Sequence, residues 1–162
     1  MHIHQRPHLA GAAASGWFDS EGVAAAERTL IDAGQLTGYL LGSYSARRLG
    51  LRTTGNAGGA FNMVVEPGAQ GHEALRRDMG TGLVVTGLMG QGVNLVTGDY
   101  SRGAEGFWVE RGEIVHPVEE ITIAGNLAEM FRTLAAVGSD VDTRGLVRCG
   151  SLLLLQMTIA GS

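Results

Sequence analysis

Short apolar runs separated by turn residues dominate the hydrophobic pattern of this chain. Residues 24–42 predict two strands around a turn at Asp32-Ala33-Gly34. Residues 106–118 predict a hairpin whose two-residue turn is Arg111-Gly112. The remaining apolar segments with strand character are 61–66, 82–90, 92–98, 119–125, 145–155 and 156–161.

Three segments predict short helices. Residues 43–50 have Ser43 as the expected cap, and residues 71–80 have helical composition that ends at Gly80. The clearest helix spans 126–138, begins at the cap Asn126 and ends at Gly138. Its apolar positions recur at helical spacing: Leu127, Met130, Phe131, Leu134 and Val137. Strands and helices do not alternate regularly, which predicts an α+β fold with a mainly antiparallel β-sheet and about three short helices.

The length and composition fit one globular domain over residues 1–162. The 26 glycines are dispersed among apolar runs, which favours tight turns and bent strands over low complexity. A lone cysteine, Cys149, excludes an internal disulfide framework and suits a reducing cytoplasm. No apolar run approaches the ~20 residues of a membrane helix, so no membrane association is expected.

The charged residues narrow the function classes. The net charge is −4, and all 12 basic residues are arginines. Nucleic-acid binding needs a clustered basic face, so DNA or RNA is not expected as a partner. Without lysine the chain has no phosphate-loop lysine and no Schiff-base lysine. The glycine runs at 55–59 and 87–92 also lack the spacing of a dinucleotide-binding loop.

Two histidine-containing stretches are metal candidates. The first is near the N-terminus, where His2 and His4 share one face of an extended chain and His8 follows. The second is His72-Glu73, but a zinc-peptidase helix needs a second histidine one turn later. Arg76 and Arg77 occupy that turn, and arginine does not ligate zinc. We therefore expect no metal site at either stretch.

Cys149 is also a candidate nucleophile, which would need a base. His116 is the candidate base, although Pro117 and the alternation around it suit a histidine on a sheet edge. A buried, inert thiol is the expected state of Cys149. A cysteine hydrolase stays open as an alternative function.

The segment "TGDYSRGAEGFW" (97–108) combines glycines with polar and aromatic side chains. It has neither the lysine of a phosphate loop nor a base–nucleophile pair, and it predicts a glycine-hinged strand. Gly98 and Gly103 permit close backbone approach, as an extended peptide requires. We therefore assign Tyr100 and Arg102 as candidate substrate-binding residues, next to Asp99 and Ser101.

Five blocks of the chain together resemble the C-terminal part of the PmbA/TldD proteins, and the PmbA (TldE) branch more than the TldD branch. The blocks follow the order of the family: "FDSEGV" (18–23), "GYLLGSYSARRLGLRTTGNAGG" (38–59), "MGTGLVVTGLMGQGVNLVTGDYSRGAEGFWVERGEI" (79–114), "EITIAGNLAEMFRTLAAVGSD" (120–140) and "VRCGSLLLLQMTIAG" (147–161). Two departures are small. Arg111 replaces a common asparagine, and "LLLLQM" (152–157) replaces a run that often contains proline.

The resemblance implies a cytosolic bacterial protein with two domains, of which this chain corresponds to the second, with the N-terminal domain absent. In the TldD branch a zinc ion sits on an HExxxH helix of the N-terminal domain, with a cysteine near the C-terminus as third ligand. A TldD subunit pairs with a PmbA/TldE subunit, which lacks that motif, and the heterodimer cleaves extended peptides. Cys149 matches the cysteine region, but its partner histidines have no counterpart here. Zinc is therefore expected only in the TldD-like partner.

The resemblance thus implies a non-catalytic, architectural subunit of a zinc-dependent peptidase. Its expected partners are a TldD-like subunit, or a second copy in a homodimer, and an extended peptide substrate. A protein-interaction module without any peptidase role remains the alternative from another class.

Overall fold

The structure, a computed structural model, describes residues 1–161 and contains two compact units. Unit 1 comprises Met1–Pro67 and Asp140–Gly150, and unit 2 comprises Gly68–Ser139 and the segment that starts at Ser151. The elements in chain order are β1 (Ile3–Gln5), β2 (Arg28–Asp32), β3 (Gln35–Leu36), α1 (Ser43–Arg48), β4 (Met63–Val65), α2 (His72–Met79), β5 (Gly82–Met89), β6 (Asp99–Glu110), β7 (Glu113–Asn126), α3 (Leu127–Arg132), β8 (Leu134–Val137), β9 (Val147–Arg148), β10 (Leu152–Leu154) and β11 (Thr158–Ala160).

Unit 1 contains a five-stranded sheet in the order β3-β2-β1-β4-β9. Its pairs are antiparallel except β4 with β9, which are parallel. Buried polar side chains are a feature of this unit, since Gln5 and Asn62 are both fully buried. They are satisfied by hydrogen bonds. The Asn56 side-chain amide donates to the Gln5 side-chain oxygen at 2.6 Å, and the Asn62 side-chain amide donates to the Arg6 backbone carbonyl at 3.0 Å. This network ties the N-terminal strand to the glycine-rich loop before β4.

Unit 2 contains a four-stranded sheet in the order β11-β7-β6-β5 and a separate β8/β10 pair, all antiparallel. Its core cluster consists of Ala104, Ile121 and Ile123. The mainly antiparallel sheets and the three short helices confirm the predicted α+β class. No helix within residues 1–161 is long and apolar enough to cross a membrane.

Both predicted tight turns are present. Arg111 and Gly112 have φ values of 52° and 79° between β6 and β7, and Ala33 and Gly34 have 47° and 84° between β2 and β3. Positive φ at both central residues is the type I′ signature, whose twist matches that of the flanking strands. The predicted end of the 71–80 helix at Gly80 is also confirmed, with a φ of 69°.

The predicted helix over 126–138 is wrong in its second half. Asn126 caps α3 as expected, because its side chain accepts a hydrogen bond from the Ala128 amide at 3.0 Å. The helix nevertheless ends at Arg132, and Leu134–Val137 forms β8, which pairs with β10. Phe131, predicted on the apolar face, is 60% exposed. A pairing partner distant in sequence therefore overrides the local helical spacing.

Three smaller predictions also fail. The cap of α1 is Gly42 rather than Ser43, and the Ser43 amide donates instead to the Glu21 carboxylate at 2.8 Å. Residues 92–98 form a turn instead of a strand, because the Asn94 side chain accepts from the amides of Val96 at 2.9 Å and Thr97 at 3.2 Å. Residues 145–155 form two strands, β9 and β10, with residues 149–151 between them.

Candidate functional site

Strand β6, which carries Tyr100 and Arg102, lies inside the sheet of unit 2. It pairs with β7 on one side from Asp99 to Glu110, and with β5 on the other side from Gly103 to Val109. Strand alternation places Tyr100 and Arg102 on the same face as the buried Ala104. The opposite face carries the exposed Ser101 and Glu105. The predicted strand is thus confirmed, and the two candidate side chains share one face.

Tyr100 is half-buried at the edge of the core. Its side chain packs against the cluster of Ala104, Ile121 and Ile123. The isolated bridge between Val93 and Tyr100 also brings the loop after β5 back onto β6. The ring therefore contributes to packing, and its role toward a substrate stays a prediction.

Arg102 is half-buried and points toward the outermost strand of the sheet. Its Nη2 donates to the Leu88 carbonyl of β5 at 3.5 Å, a long hydrogen bond. Its Nε is shielded from solvent and has no hydrogen-bond partner within residues 1–161. Arg102 also forms no ion pair with a carboxylate of that region. The charge of the guanidinium group is therefore not neutralised by any carboxylate within residues 1–161.

Strand β5 is the open edge beside Arg102. Its eight residues, "GLVVTGLM", contain no charged residue and no proline. Several of its apolar side chains are exposed, with Leu88 at 43% and Met89 at 51%. Natural edge strands are usually protected by charges, prolines or a covering segment. An unprotected edge of this length can accept the backbone of another extended chain.

Glycines allow the strands of this sheet to approach closely. A Cβ at Gly106 would collide with the Val84 carbonyl, and one at Gly87 would collide with the Glu105 carboxylate. A β-bulge in β5 lies at this point, between Val85 and Gly87. Gly87, Gly106 and the bulge therefore determine how closely β5 approaches β6.

Cys149 has the surroundings of an inert thiol. It is half-buried, and its Sγ donates to the Gly150 carbonyl at 3.2 Å. Burial raises the pKa of the thiol, and the negative charge of Asp140 raises it further. A catalytic cysteine needs the opposite shift, since the thiolate is the nucleophile. This environment therefore disfavours a hydrolase that uses Cys149.

The histidines singled out in the sequence are engaged in ordinary contacts. His2 Nδ1 lies 2.9 Å from an Asp32 oxygen, and His8 stacks on Trp17 with ring centres 4.8 Å apart. His72 Nδ1 lies 3.1 Å from the Ser151 hydroxyl, and the exposed His116 Nδ1 lies 3.1 Å from the Pro117 carbonyl. Within residues 1–161 no group of three or more His, Cys, Asp or Glu side chains is arranged to hold a metal ion.

The open edge of β5 was missed at the level of sequence, where residues 82–90 predicted only an apolar strand. The sequence does contain an indication of an unprotected strand, because this run is long and has no charged residue. Its position at the edge could not be inferred, since strand order depends on pairing between segments that are distant in sequence.

Comparison with known proteins gives consistent matches. The family model of the PmbA/TldA metallopeptidase C-terminal domain matches residues 1–161. The chain is 57% identical over 159 residues to a protein named Metalloprotease PmbA from Escherichia coli O157:H7, covering 98% of this chain and 35% of that protein. The chain thus spans about a third of the length of that relative.

Solved structures agree with this match. A protein from Thermotoga maritima named as a modulator of DNA gyrase superposes with a TM-score of 0.90 at 35% identity, over 98% of this chain and 39% of that one. TldE from Thermococcus kodakarensis gives a TM-score of 0.85 at 24% identity, over 99% of this chain and 39% of that one. At that lower identity the likeness concerns the fold.

Proposed function

We propose a function from the premise that this chain belongs to the PmbA/TldD metallopeptidase family, as its C-terminal domain. The chain acts as a PmbA/TldE-like subunit of a cytoplasmic, zinc-dependent peptidase assembly. Its partner is a TldD-like subunit, with a homodimer as the other candidate form. Its role is architectural: it holds an extended peptide while the partner supplies the metal.

The observation that carries this proposal is the unprotected edge of β5. An extended peptide that pairs with Gly82–Met89 gains backbone hydrogen bonds independently of its sequence. Most strands of a folded protein are already paired and its edge strands are usually protected, so a folded protein rarely offers a free strand to this edge. Edge pairing therefore supports the selection of unfolded or extended substrates.

Arg102 and Tyr100 are the proposed side-chain contacts. The Arg102 guanidinium group bonds to Leu88 near the end of β5, and it has donors that no residue within 1–161 satisfies. It is placed to bind a carbonyl or carboxylate of a peptide lying beside that end of the strand. Tyr100 lies two residues earlier on the same face and packs against the core.

The zinc ion is assigned to the partner because of the residues that this chain carries. Arg76 and Arg77 stand on α2 where a zinc helix would place its second histidine. Cys149 is one thiol with a raised pKa, whereas a metal ligand must be a thiolate. Three protein ligands are the usual minimum for a catalytic zinc site.

Co-assembly with a TldD-type subunit tests the proposal. We expect this chain to co-purify with that subunit and to increase its zinc-dependent cleavage of an unfolded peptide. Absence of association at micromolar concentrations would favour the interaction module without a peptidase role.

A charge placed on the edge tests the role of β5 in the same assay. Val85→Lys adds a protective charge to an exposed position of β5, so we expect weaker peptide binding and slower cleavage with unchanged association. The matched control is Ile114→Lys on β7, which is also partly exposed and should leave binding unchanged. Equal peptide affinity in both variants would contradict pairing at this edge.

A further inference from the structure

An open depression in unit 1 is lined by two arginines. Its lining residues are His4, Gln5, Arg6, Glu27, Arg28 and Thr29. It follows β1 and the start of β2, where His4 pairs with Thr29 and Gln5 pairs with Arg28. The whole chain has a net charge of −4, so two arginines in one concavity form a local exception.

The Arg28 side chain has a donor that no group within residues 1–161 satisfies. It is half-buried, and its Nε is shielded from solvent without a hydrogen-bond partner within residues 1–161. The only hydrogen bond of its side chain within residues 1–161 is from Nη2 to the Thr54 carbonyl at 3.5 Å. Buried polar groups are normally satisfied, and an unsatisfied one often marks the place of a water or an ion. The planar guanidinium fork matches a carboxylate with two parallel hydrogen bonds.

Arg6 provides a second cation at the rim of the depression. It is exposed, and its side chain forms neither an ion pair nor a hydrogen bond within residues 1–161. Its backbone is fixed, since its amide donates to the Asn62 carbonyl at 2.8 Å and its carbonyl accepts from the Asn62 side chain at 3.0 Å. The position of Arg6 at the rim is thus set by a buried asparagine.

The acidic groups around the depression do not neutralise these arginines. Glu27 lines the depression but forms no ion pair with Arg6 or Arg28. Glu66 lies 3.9 Å from His4 Nε2, while His4 Nδ1 lies 3.2 Å from the Thr29 hydroxyl. Two arginines and one glutamate therefore line the depression without forming ion pairs with one another.

We propose that this depression binds a carboxylate group between Arg28 at its wall and Arg6 at its rim. The carboxylate comes either from a small free carboxylate ion or from the C-terminus of a peptide. This site belongs to unit 1 and does not depend on the β5 edge of unit 2, so either proposal can fail alone.

NMR titration of the 162-residue chain tests the proposal, because arginine Nε–H groups give resolved signals. The probes are acetate, a tripeptide with a free C-terminus and the same tripeptide as its C-terminal amide, all at constant ionic strength with chloride. We expect saturable shifts of the Arg28 Nε–H and the Thr29 amide. Arg6→Gln should weaken the affinity roughly tenfold or more, since a hydrogen bond to a charged group is lost.

Matched variants control for folding and net charge. Arg48→Gln removes the same charge from the exposed end of α1 and should leave the affinity unchanged. Arg28→Lys keeps the charge but loses the fork, and should weaken binding in a chain with a retained spectrum. If the tripeptide acid binds with much higher affinity than acetate, the ligand is a peptide C-terminus. If the two affinities are equal, the ligand is a free carboxylate ion. Non-saturable shifts with both acids, or an unchanged affinity in Arg6→Gln, would overturn the proposal.

Discussion

At the residue scale, the β6–β7 turn, Arg102 and Tyr100 each owe their conformation or surroundings to identifiable neighbours. The turn at Arg111 and Gly112 was predictable because a two-residue connection between strands needs positive φ at both positions. The unpartnered Nε of Arg102 was not predictable, since its surroundings arise from β5, which is paired with β6. The half-burial of Tyr100 against Ile121 and Ile123 likewise depends on strand register.

Arg111 carries backbone strain that a substitution can relieve. Its φ of 52° is unfavourable for a side chain with a Cβ, and asparagine tolerates this region better. We expect Arg111→Asn to increase the free energy of unfolding by up to about 1 kcal/mol in urea denaturation. Gly112→Ala should act in the opposite direction, because its φ is 79° and its Cβ would lie 3.0 Å from Arg77 Cα. A destabilised Arg111→Asn variant would show that the arginine side chain has a stabilising contact of its own.

The pKa of Cys149 predicts a defined pH dependence. Because burial and Asp140 raise the pKa of the thiol in the folded chain, the thiolate is scarce at neutral pH. Alkylation by iodoacetamide, followed by mass spectrometry, should be slower at pH 7 in the folded chain than in urea and should accelerate at alkaline pH. The neutral thiol's contribution to stability is fully present below the unfolded pKa of about 8.5 and is lost as the pH rises through the folded pKa. Rapid alkylation of the folded chain at neutral pH would reverse this assignment.

At the element scale, the sheet of unit 2 separates what local patterns determine from what they do not. The β6–β7 hairpin follows from alternation around a recognisable turn. The α3–β8 segment has helical spacing throughout, yet Leu134–Val137 pairs with Leu152–Leu154. The turn at 94–97 was not predicted because it depends on hydrogen bonds to the Asn94 side chain, which the pattern of apolar residues does not reveal.

The approach of β5 to β6 depends on Gly106. A Cβ at this position would collide with the Val84 carbonyl, which belongs to a backbone that cannot move aside cheaply. We expect Gly106→Ala to lower the free energy of unfolding by roughly 2 kcal/mol or more, measured in urea. Gly38→Ala is the control, because its Cβ would meet nothing within 4 Å and should change stability by about 0.5 kcal/mol or less. Equal free energies of unfolding in the two variants would mean that β5 and β6 can move apart at Gly106 without loss of stability.

At the scale of the whole molecule, the strand pairings other than the two tight-turn hairpins could not be predicted from the sequence. The parallel β4–β9 pair joins Met63 to Val147, and such distant pairing leaves no local pattern. The α+β class was predictable, because it needs only the kinds of elements and their irregular order. The family was recognisable from five blocks in order, and its model matches residues 1–161.

The most direct test of the proposed role is a cleavage assay on an unfolded peptide with three samples: this chain with zinc, a TldD-type subunit with zinc, and the two together. The account predicts that this chain alone cleaves the peptide no faster than a blank that contains zinc and no protein. It also predicts that the mixture of the two subunits cleaves fastest. Saturable, zinc-dependent cleavage by this chain alone would contradict the assignment of the metal to the partner.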